Sequence, residues 1–437
     1  MVMNRCAIDL IRTLETATSS ASVLRRSCWR FPRLIPWRAG LGLVFTSLSA
    51  IAETPSQSPG NWVASWGCAP GFASGQELAN QTLRQFVRLS AGGNRVRVRL
   101  SNETGTQPLV IGSAHLAVAS REKGTIDPST DRVLTFYGSP KTTVPPGAPV
   151  LSDPVELSVP PLTKLAISLY ITRDSGSSVM HLVGQETGSL SSSGDETSEV
   201  MIADASIVAE RYYLTAVEVC SADNVGSIVC LGDSITDGRG STPDADRRWP
   251  DRLAERLNEQ GVRLGVVNAG ISGNRILHDL PEIICGPSAL SRFDRDVLSV
   301  TEGRFLIVLE GINDITHPIA NEEPDQSVTS DQVIGGLQQL IARAHGHDLK
   351  VFGGTLLPGE GDGFYTAQVE TQRKAINQWI RTSNAFDGVI DFDAVVRDPD
   401  RPSRLRPDYA SADHVHPNDA GYRAMADAID LKLFTRP

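Results

Sequence analysis

No uninterrupted apolar run in the chain is long enough for a membrane-spanning helix, so no transmembrane anchor is expected. A basic excess is missing too: 437 residues carry 41 Lys and Arg against 51 Asp and Glu, a formal net charge of −10. Without surplus cations for phosphate contacts, neither nucleic acid nor an anionic membrane is expected as the main partner. Cysteine is scarce, 6 in all, and neither a Cys-x-x-Cys pair nor a histidine cluster offers zinc a site. No metal or cofactor is therefore expected. The Gly-x-Ser-x-Gly elbow of α/β-hydrolases is absent as well, which argues against that class.

What is present begins with an address. Arg25, Arg26, Arg30, Arg33 and Arg38 precede an apolar stretch from Leu41 to Leu48, and Ala50-Ile51-Ala52 is a small-x-small cleavage site. This predicts a leader over 1–52 and a secreted or periplasmic protein. Arg25-Arg26 as a twin-arginine signal fits poorly with the residues that follow. The leader's surplus of 5 positive charges would depart with it, leaving the remainder near −15. Cys6 and Cys28 would leave too. Cys68, Cys220, Cys230 and Cys285 then allow three pairings. Cys230 sits in an apolar run and reads as a buried thiol, while Cys68 and Cys220 open and close the first domain and could bridge.

Past a polar linker (53–61), residues 62–222 read as an all-β sandwich or jelly-roll accessory domain. Arg95, Arg97 and Arg99 alternate with Val96, Val98 and Leu100, the period of a strand with one buried face. Gly92-Gly93-Asn94 before it, with the run Leu83 to Ser90 on its other side, predicts a hairpin. Further short runs follow at Leu109 to Ile111, His115 to Ala119, Val133 to Tyr137, Leu165 to Ile171 and Tyr212 to Val219.

The texture changes at Asn224, and 223–437 reads as a second domain. Apolar runs at Ser227 to Leu231, Leu264 to Val267, Phe305 to Leu309, Val351 to Phe352 and Val389 to Ile390 alternate with amphipathic stretches. Val333, Leu337, Leu340, Ile341 and Ala344 share one helical face, and Val369, Ile376 and Ile380 another. The pattern predicts a parallel sheet covered on both sides, with chemistry beyond the carboxyl ends of its strands.

Those post-strand segments carry Gly232-Asp233-Ser234, Ile271-Ser272-Gly273-Asn274, Gly311-Ile312-Asn313-Asp314 and finally Asp413-His414-Val415-His416. Ser234 is a weak nucleophile unless a base takes its proton, and His416 can do so. Asp413 can hold the imidazole in its working tautomer. The Ser234 and Gly273 amides and the Asn313 side chain can supply oxyanion donors. Taken singly, each motif is an ordinary helix cap or turn. As an ordered set, each after its strand, they form an acyl-transfer constellation. His414 is a rival base but directly adjoins Asp413. His115, His181, His278, His317, His345 and His347 lack a matching carboxylate pattern and read as solvated or structural.

These four blocks resemble the SGNH/GDSL hydrolase superfamily, with Ile235 where the family name implies Leu. Arg247-Arg248-Trp249-Pro250 and Ser288 to Asp294 resemble a bacterial extracellular subgroup with an N-terminal β-domain. The resemblance implies a flavodoxin-like three-layer α/β/α domain. It also implies carboxylic ester hydrolysis through an acyl-enzyme, with Ser234, Asp413 and His416 as triad and Ser234, Gly273 and Asn313 as oxyanion hole.

Short acyl or acetyl esters, including those carried on carbohydrate, are the expected substrates, since neither Leu280 to Ser291 nor Asn321 to Asp325 resembles a large apolar lid. The alternatives are a glycan-binding protein with an idle hydrolase domain, and a lysophospholipase or thioesterase. Trp62, Trp66, Phe86, Tyr137, Tyr170, Tyr212 and Tyr213 serve a glycan platform or the β-domain's own core equally well.

Overall fold

Alternation along Arg95 to Leu100 does what its period requires: Val96, Val98 and Leu100 are buried and the three arginines between them are half-exposed. In the computed structural model these residues lie in the strand Gly93–Ser101. The described residues are 60–223, 225–280 and 285–434. The leader 1–52, most of the linker and Asn224 lie outside them, as does part of the Leu280 to Ser291 segment.

Among the described residues, the β region is built from antiparallel sheets. One orders the strands Asn61–Gly67, Leu214–Ser221, Gly93–Ser101 and Pro149–Leu151, with Val155–Val159 also on Gly93–Ser101. A second centres on Lys164–Ile171, flanked by Gln81–Arg88 and Leu109–Val118. Inward side chains of both, including Leu83, Val87, Val96, Val98, Leu116, Ile167 and Val217, share one core.

The hairpin expected at Gly92-Gly93-Asn94 does not form. Gln81–Arg88 pairs with Lys164–Ile171, while Gly93–Ser101 pairs with Leu214–Ser221, so the two strands belong to different sheets. The glycine at 93 answers a packing need instead: a Cβ there would sit 2.6 Å from the Cys220 carbonyl oxygen. The bridge open to Cys68 and Cys220 is not made either, and both are thiols. Cys230 is a buried thiol, as its apolar strand implied.

The α/β region holds a parallel sheet in the order Gly265–Gly270, Ser227–Gly232, Gly303–Leu309, Lys350–Gly354, Gly388–Ile390. In chain order that is 2-1-3-4-5, the flavodoxin-like arrangement, whose switch point lies between the first and third strands. Alternate strand residues face opposite layers. Ile228, Cys230, Phe305 and Ile307 join the core under Trp249–Glu259 and Asp419–Asp427, while Val229, Leu231, Leu306 and Val308 join the core under Ser330–His345 and Ala367–Thr382. The sheet is thus buried on both faces, which is why its strands read as continuous apolar runs.

Its edge strand Gly265–Gly270 is not left open. The Ser90 hydroxyl bridges the Val266 amide (2.7 Å) and carbonyl (3.2 Å), and a Cβ on Gly265 would collide with the Ala64 carbonyl oxygen. A strand edge covered in this way offers no template for pairing with another chain. The β and α/β regions pack as one compact unit.

Candidate active site

The strand Ser227–Gly232 ends beneath a short helical turn, Ser234–Asp237. Asp233 caps that turn, its Oδ1 accepting from the Ile235 amide at 2.9 Å. The capping role foreseen for Gly-Asp-Ser therefore exists, but Asp233 fills it and leaves the Ser234 hydroxyl for other use. Ser234 Oγ lies 2.7 Å from His416 Nε2. His416 Nδ1 lies 2.7 Å from Asp413 Oδ2.

Local structure explains how three residues suffice to place acid and base. Asp413 Oδ1 accepts from the Val415 and His416 amides, both at 3.0 Å, and from the Ser411 hydroxyl at 2.7 Å. One oxygen organises the turn and the other faces the ring. Asn418 then caps Asp419–Asp427 through the Ala420 and Gly421 amides. Partial burial works to raise the Asp413 pKa, but the hydrogen bonds from His416 and Ser411 outweigh it and hold the carboxyl well below the usual carboxylate range. His414, the rival base, has φ +64° and lies beside Gly361.

Gly273 and Asn313 reach the same cleft from neighbouring strand ends. Gly273 has φ +76°, and a Cβ on it would meet Cys285 Sγ at 2.5 Å, so both backbone and space require glycine. Asn313 sits in the first turn of Ile312–Ala320 and donates from Nδ2 to the Asn274 carbonyl at 3.0 Å. One amide hydrogen is fixed in this way and the other is left oriented. Asp314, next along, accepts from the Ile276 and Leu277 amides at 2.8 and 3.0 Å and ties the two loops together. Ser234, Gly273, Asn313, Asp413 and His416 all line a cleft of about 360 Å³, closed in part by Ile312, Leu357, Phe364 and Tyr365.

His317 lines it too, and sequence gave no reason to choose it over the other histidines. Its Cε1 would lie 3.3 Å from a Cβ on Gly273, and its Nδ1 has no protein partner. Burial, reinforced by Arg275, pushes its pKa down to about 4, so the ring is neutral at ordinary pH. Three other histidines have carboxylate partners that no sequence pattern announced: His115 with Asp131 (2.8 Å), His181 with Asp237 (2.9 Å) and His345 with Asp387 (2.9 Å). Each partner is at least 16 residues away in the chain, where spacing carries no signal.

Under the site lies a group of buried acids. Burial pushes Asp233 up to about 7 and Asp314 up to about 6. Glu310 is raised as well, by burial and by Asp233, with Arg292 Nη2 3.8 Å away working against the shift.

A comparison with curated proteins finds no match. Solved structures similar to this chain include an α/β hydrolase from the metagenome of Lake Arreo, Spain, at 20% identity, covering 48% of this chain and 96% of that one, TM-score 0.38. Two acetyl xylan esterases are also similar. One, AlAXEase, is 23% identical over 46% of this chain and 96% of its own, TM-score 0.35. The other, from Geobacillus stearothermophilus, is 20% identical over 48% and 94%, TM-score 0.37. Residues 230–424 match the GDSL-like lipase/acylhydrolase family. That segment runs from within the first parallel strand to the helix after His416, and makes this chain a carboxylic ester hydrolase carrying a GDSL-like lipase/acylhydrolase domain.

Proposed function

We propose that the chain is an exported serine esterase that cleaves short acyl or acetyl esters, including those carried on carbohydrate, through an acyl-enzyme on Ser234. The observation that carries this reading is the continuous relay Ser234 Oγ, His416, Asp413, with both contacts at 2.7 Å, at the switch point of the sheet. Export rests on the leader 1–52. The working division is an accessory β-domain over 62–222 and a catalytic domain over 223–437.

In acylation, Ser234 Oγ attacks the ester carbonyl carbon while its proton passes to His416 Nε2. The carbonyl π pair moves onto oxygen, where the Ser234 and Gly273 amides and the free Asn313 amide hydrogen receive the charge. Asp413, ionised throughout the working range, stabilises the imidazolium without taking its proton. Collapse expels the alcohol, which takes the proton from His416. Water then repeats the sequence on the acyl-enzyme and releases the acid.

The test is turnover of p-nitrophenyl acetate, butyrate and octanoate by the wild-type chain and Ser234→Ala. A loss of about 10⁴-fold or more in kcat is expected, with rates falling from acetate to octanoate. Equal activity in the variant would reject the nucleophile, and rising rates toward octanoate would reject the short-acyl preference.

A further inference from the structure

The β region places a histidine inside the α/β region's site architecture. His181, in the strand Ser178–His181, is buried, and its Nε2 lies 2.9 Å from Asp237 Oδ1. Asp237 is the last residue of the turn that Ser234 begins. Its other oxygen accepts from the Ser272 amide (3.0 Å) and hydroxyl (2.7 Å). Ser272 immediately precedes Gly273. A chain of contacts therefore runs from the β region to the backbone that carries one of the oxyanion donors.

Geometry fixes the state of the ring. His181 Nδ1 faces the Ala69 carbonyl at 2.9 Å, and Nε2 faces the Val183 carbonyl at 3.2 Å as well as Asp237. All three partners are acceptors, and a neutral imidazole has only one N–H to give. Both nitrogens donate only in the imidazolium. Burial opposes that charge, but the Asp237 carboxylate beside the ring outweighs it and holds the pKa well above the ordinary histidine range. The strand end Gly265–Gly270 is shaped around this pair: a Cβ on Gly270 would collide with the Asp237 backbone nitrogen.

Neighbouring contacts fasten the same loop. Gln185 Nε2 donates to the Gly238 carbonyl at 3.0 Å, and the Thr187 amide donates to Asp244 Oδ1 at 2.6 Å. The segment after His181 thus grips the chain that leaves the Ser234 turn.

We propose that His181 is a positioning residue for ester hydrolysis, holding Asp237 so that Ser272 sets the Gly273 amide toward the developing oxyanion. The proposal rests on the serine-hydrolase reading above. It makes the β region a working part of the site, since a cover alone needs no ion pair aimed at the oxyanion loop. A buried pair of this kind contributes little net stability but is costly to break on one side, which suits it to holding geometry.

The experiment compares full-length wild type with His181→Gln, Ser272→Ala, the double variant, and His115→Gln as a control on a β-region histidine away from the cleft. Turnover of p-nitrophenyl acetate and the inhibition constant of a phenylboronic acid, which forms a tetrahedral adduct on the serine, are measured together. The expected result for His181→Gln is a fall in kcat of about 10- to 100-fold with KM within about 3-fold, and boronate affinity falling in parallel. Ser272→Ala should act in the same direction, and the double variant should be no slower than the slower single one, as for two links of one chain. His115→Gln should leave all three quantities unchanged. Unchanged kcat in His181→Gln, a change confined to KM, or losses that multiply in the double variant would each overturn the proposal. If His181→Gln fails to fold, Ser272→Ala decides alone: full activity and boronate affinity in it overturn the relay. Ser234→Ala in the same series separates the two levels, because full activity there would overturn the hydrolase reading itself.

Discussion

The two regions treat buried polar groups differently. In the β region, Arg84 is fully buried yet spends its guanidinium on Ser168 Oγ and on the carbonyls of Val200, Thr197 and Glu199. Among the described residues of the α/β region, Asp233 Oδ2, Thr236 Oγ1, Trp249 Nε1, both oxygens of Glu310, Arg275 Nη1, His317 Nδ1 and Glu323 Oε2 are buried without a hydrogen bond to the protein. Among the described residues of the β region, Arg211 has such atoms, and it lies in the strand Arg211–Tyr212 beside His181. Unsatisfied buried groups are costly and persist where something other than stability maintains them. Four of these residues lie by the candidate site: Asp233 and Thr236 follow the strand Ser227–Gly232, Glu310 follows Gly303–Leu309, and His317 lines the cleft. The β region mostly pairs its buried polar groups, while the α/β region leaves more of them without a hydrogen bond, several beside the candidate site.

The sharpest way to break this comparison, after Ser234→Ala, is Asp413→Asn. The substitution retains an acceptor for the turn amides but presents an amide to His416 Nδ1 and disfavours the tautomer that accepts from Ser234. A loss of about 10²- to 10³-fold in kcat is expected, smaller than for a fully enclosed acid because the Asp413 side chain is 44% exposed and water can substitute in part. Steady-state kinetics between pH 6 and 9 check it. A loss below about 3-fold would mean that the Asp413 contact serves the fold of the turn alone.

The two regions were also unequally legible in sequence. Parallel strands buried on both faces announce themselves as apolar runs, and the four blocks of the site follow them directly, so Ser234, Gly273, Asn313, Asp413 and His416 could be chosen before any geometry was known. The β region gave up its strands, because Val96, Val98 and Leu100 alternate, but not their partners. Antiparallel pairing depends on which distant strand completes the sheet, and Gly92-Gly93-Asn94 carries the same letters whether the chain turns back or crosses to the opposite sheet. His181 and His317 were out of reach for the same reason. Asp237, which pairs with His181, and Gly273, which neighbours His317, are near in space and 56 and 44 positions away along the chain.

A smaller effect tests how the α/β region carries its buried acids. Burial raises Asp233 first of all, with Asp314 and Asp237 adding to it against the Ile235 amide and His416, and the result is about 7. A folded pKa above the unfolded value of about 3.9 means that this group's stabilisation is present in acid and is lost as pH rises from about 4 through about 7. Asn at 233 would keep the cap on Ile235 and would not titrate. The melting temperature of Asp233→Asn relative to wild type should therefore be higher at pH 8 than at pH 5, by several degrees. An identical offset at both values would show that Asp233 is ionised without penalty and that the region tolerates buried charge as the β region does.

The smallest effect is expected where glycan binding would predict the largest. Trp66, Phe86, Tyr212 and Tyr213 are buried, Trp62 lies under the guanidinium groups of Arg95 and Arg97, and Tyr170 donates its hydroxyl to Asn80. That aromatic supply is spent within the β region. Tyr137, 90% exposed, is the ring most available to stack on a sugar. If the β region supports the site as the His181 contacts suggest, Tyr137→Ala will turn over p-nitrophenyl acetate and acetylated xylan within about 2-fold of wild type. A loss confined to the polymer, with the small ester unaffected, would instead assign this face of the β region to substrate capture. It would do so without disturbing the relay in the α/β region, because Tyr137 is not among the residues lining that cleft.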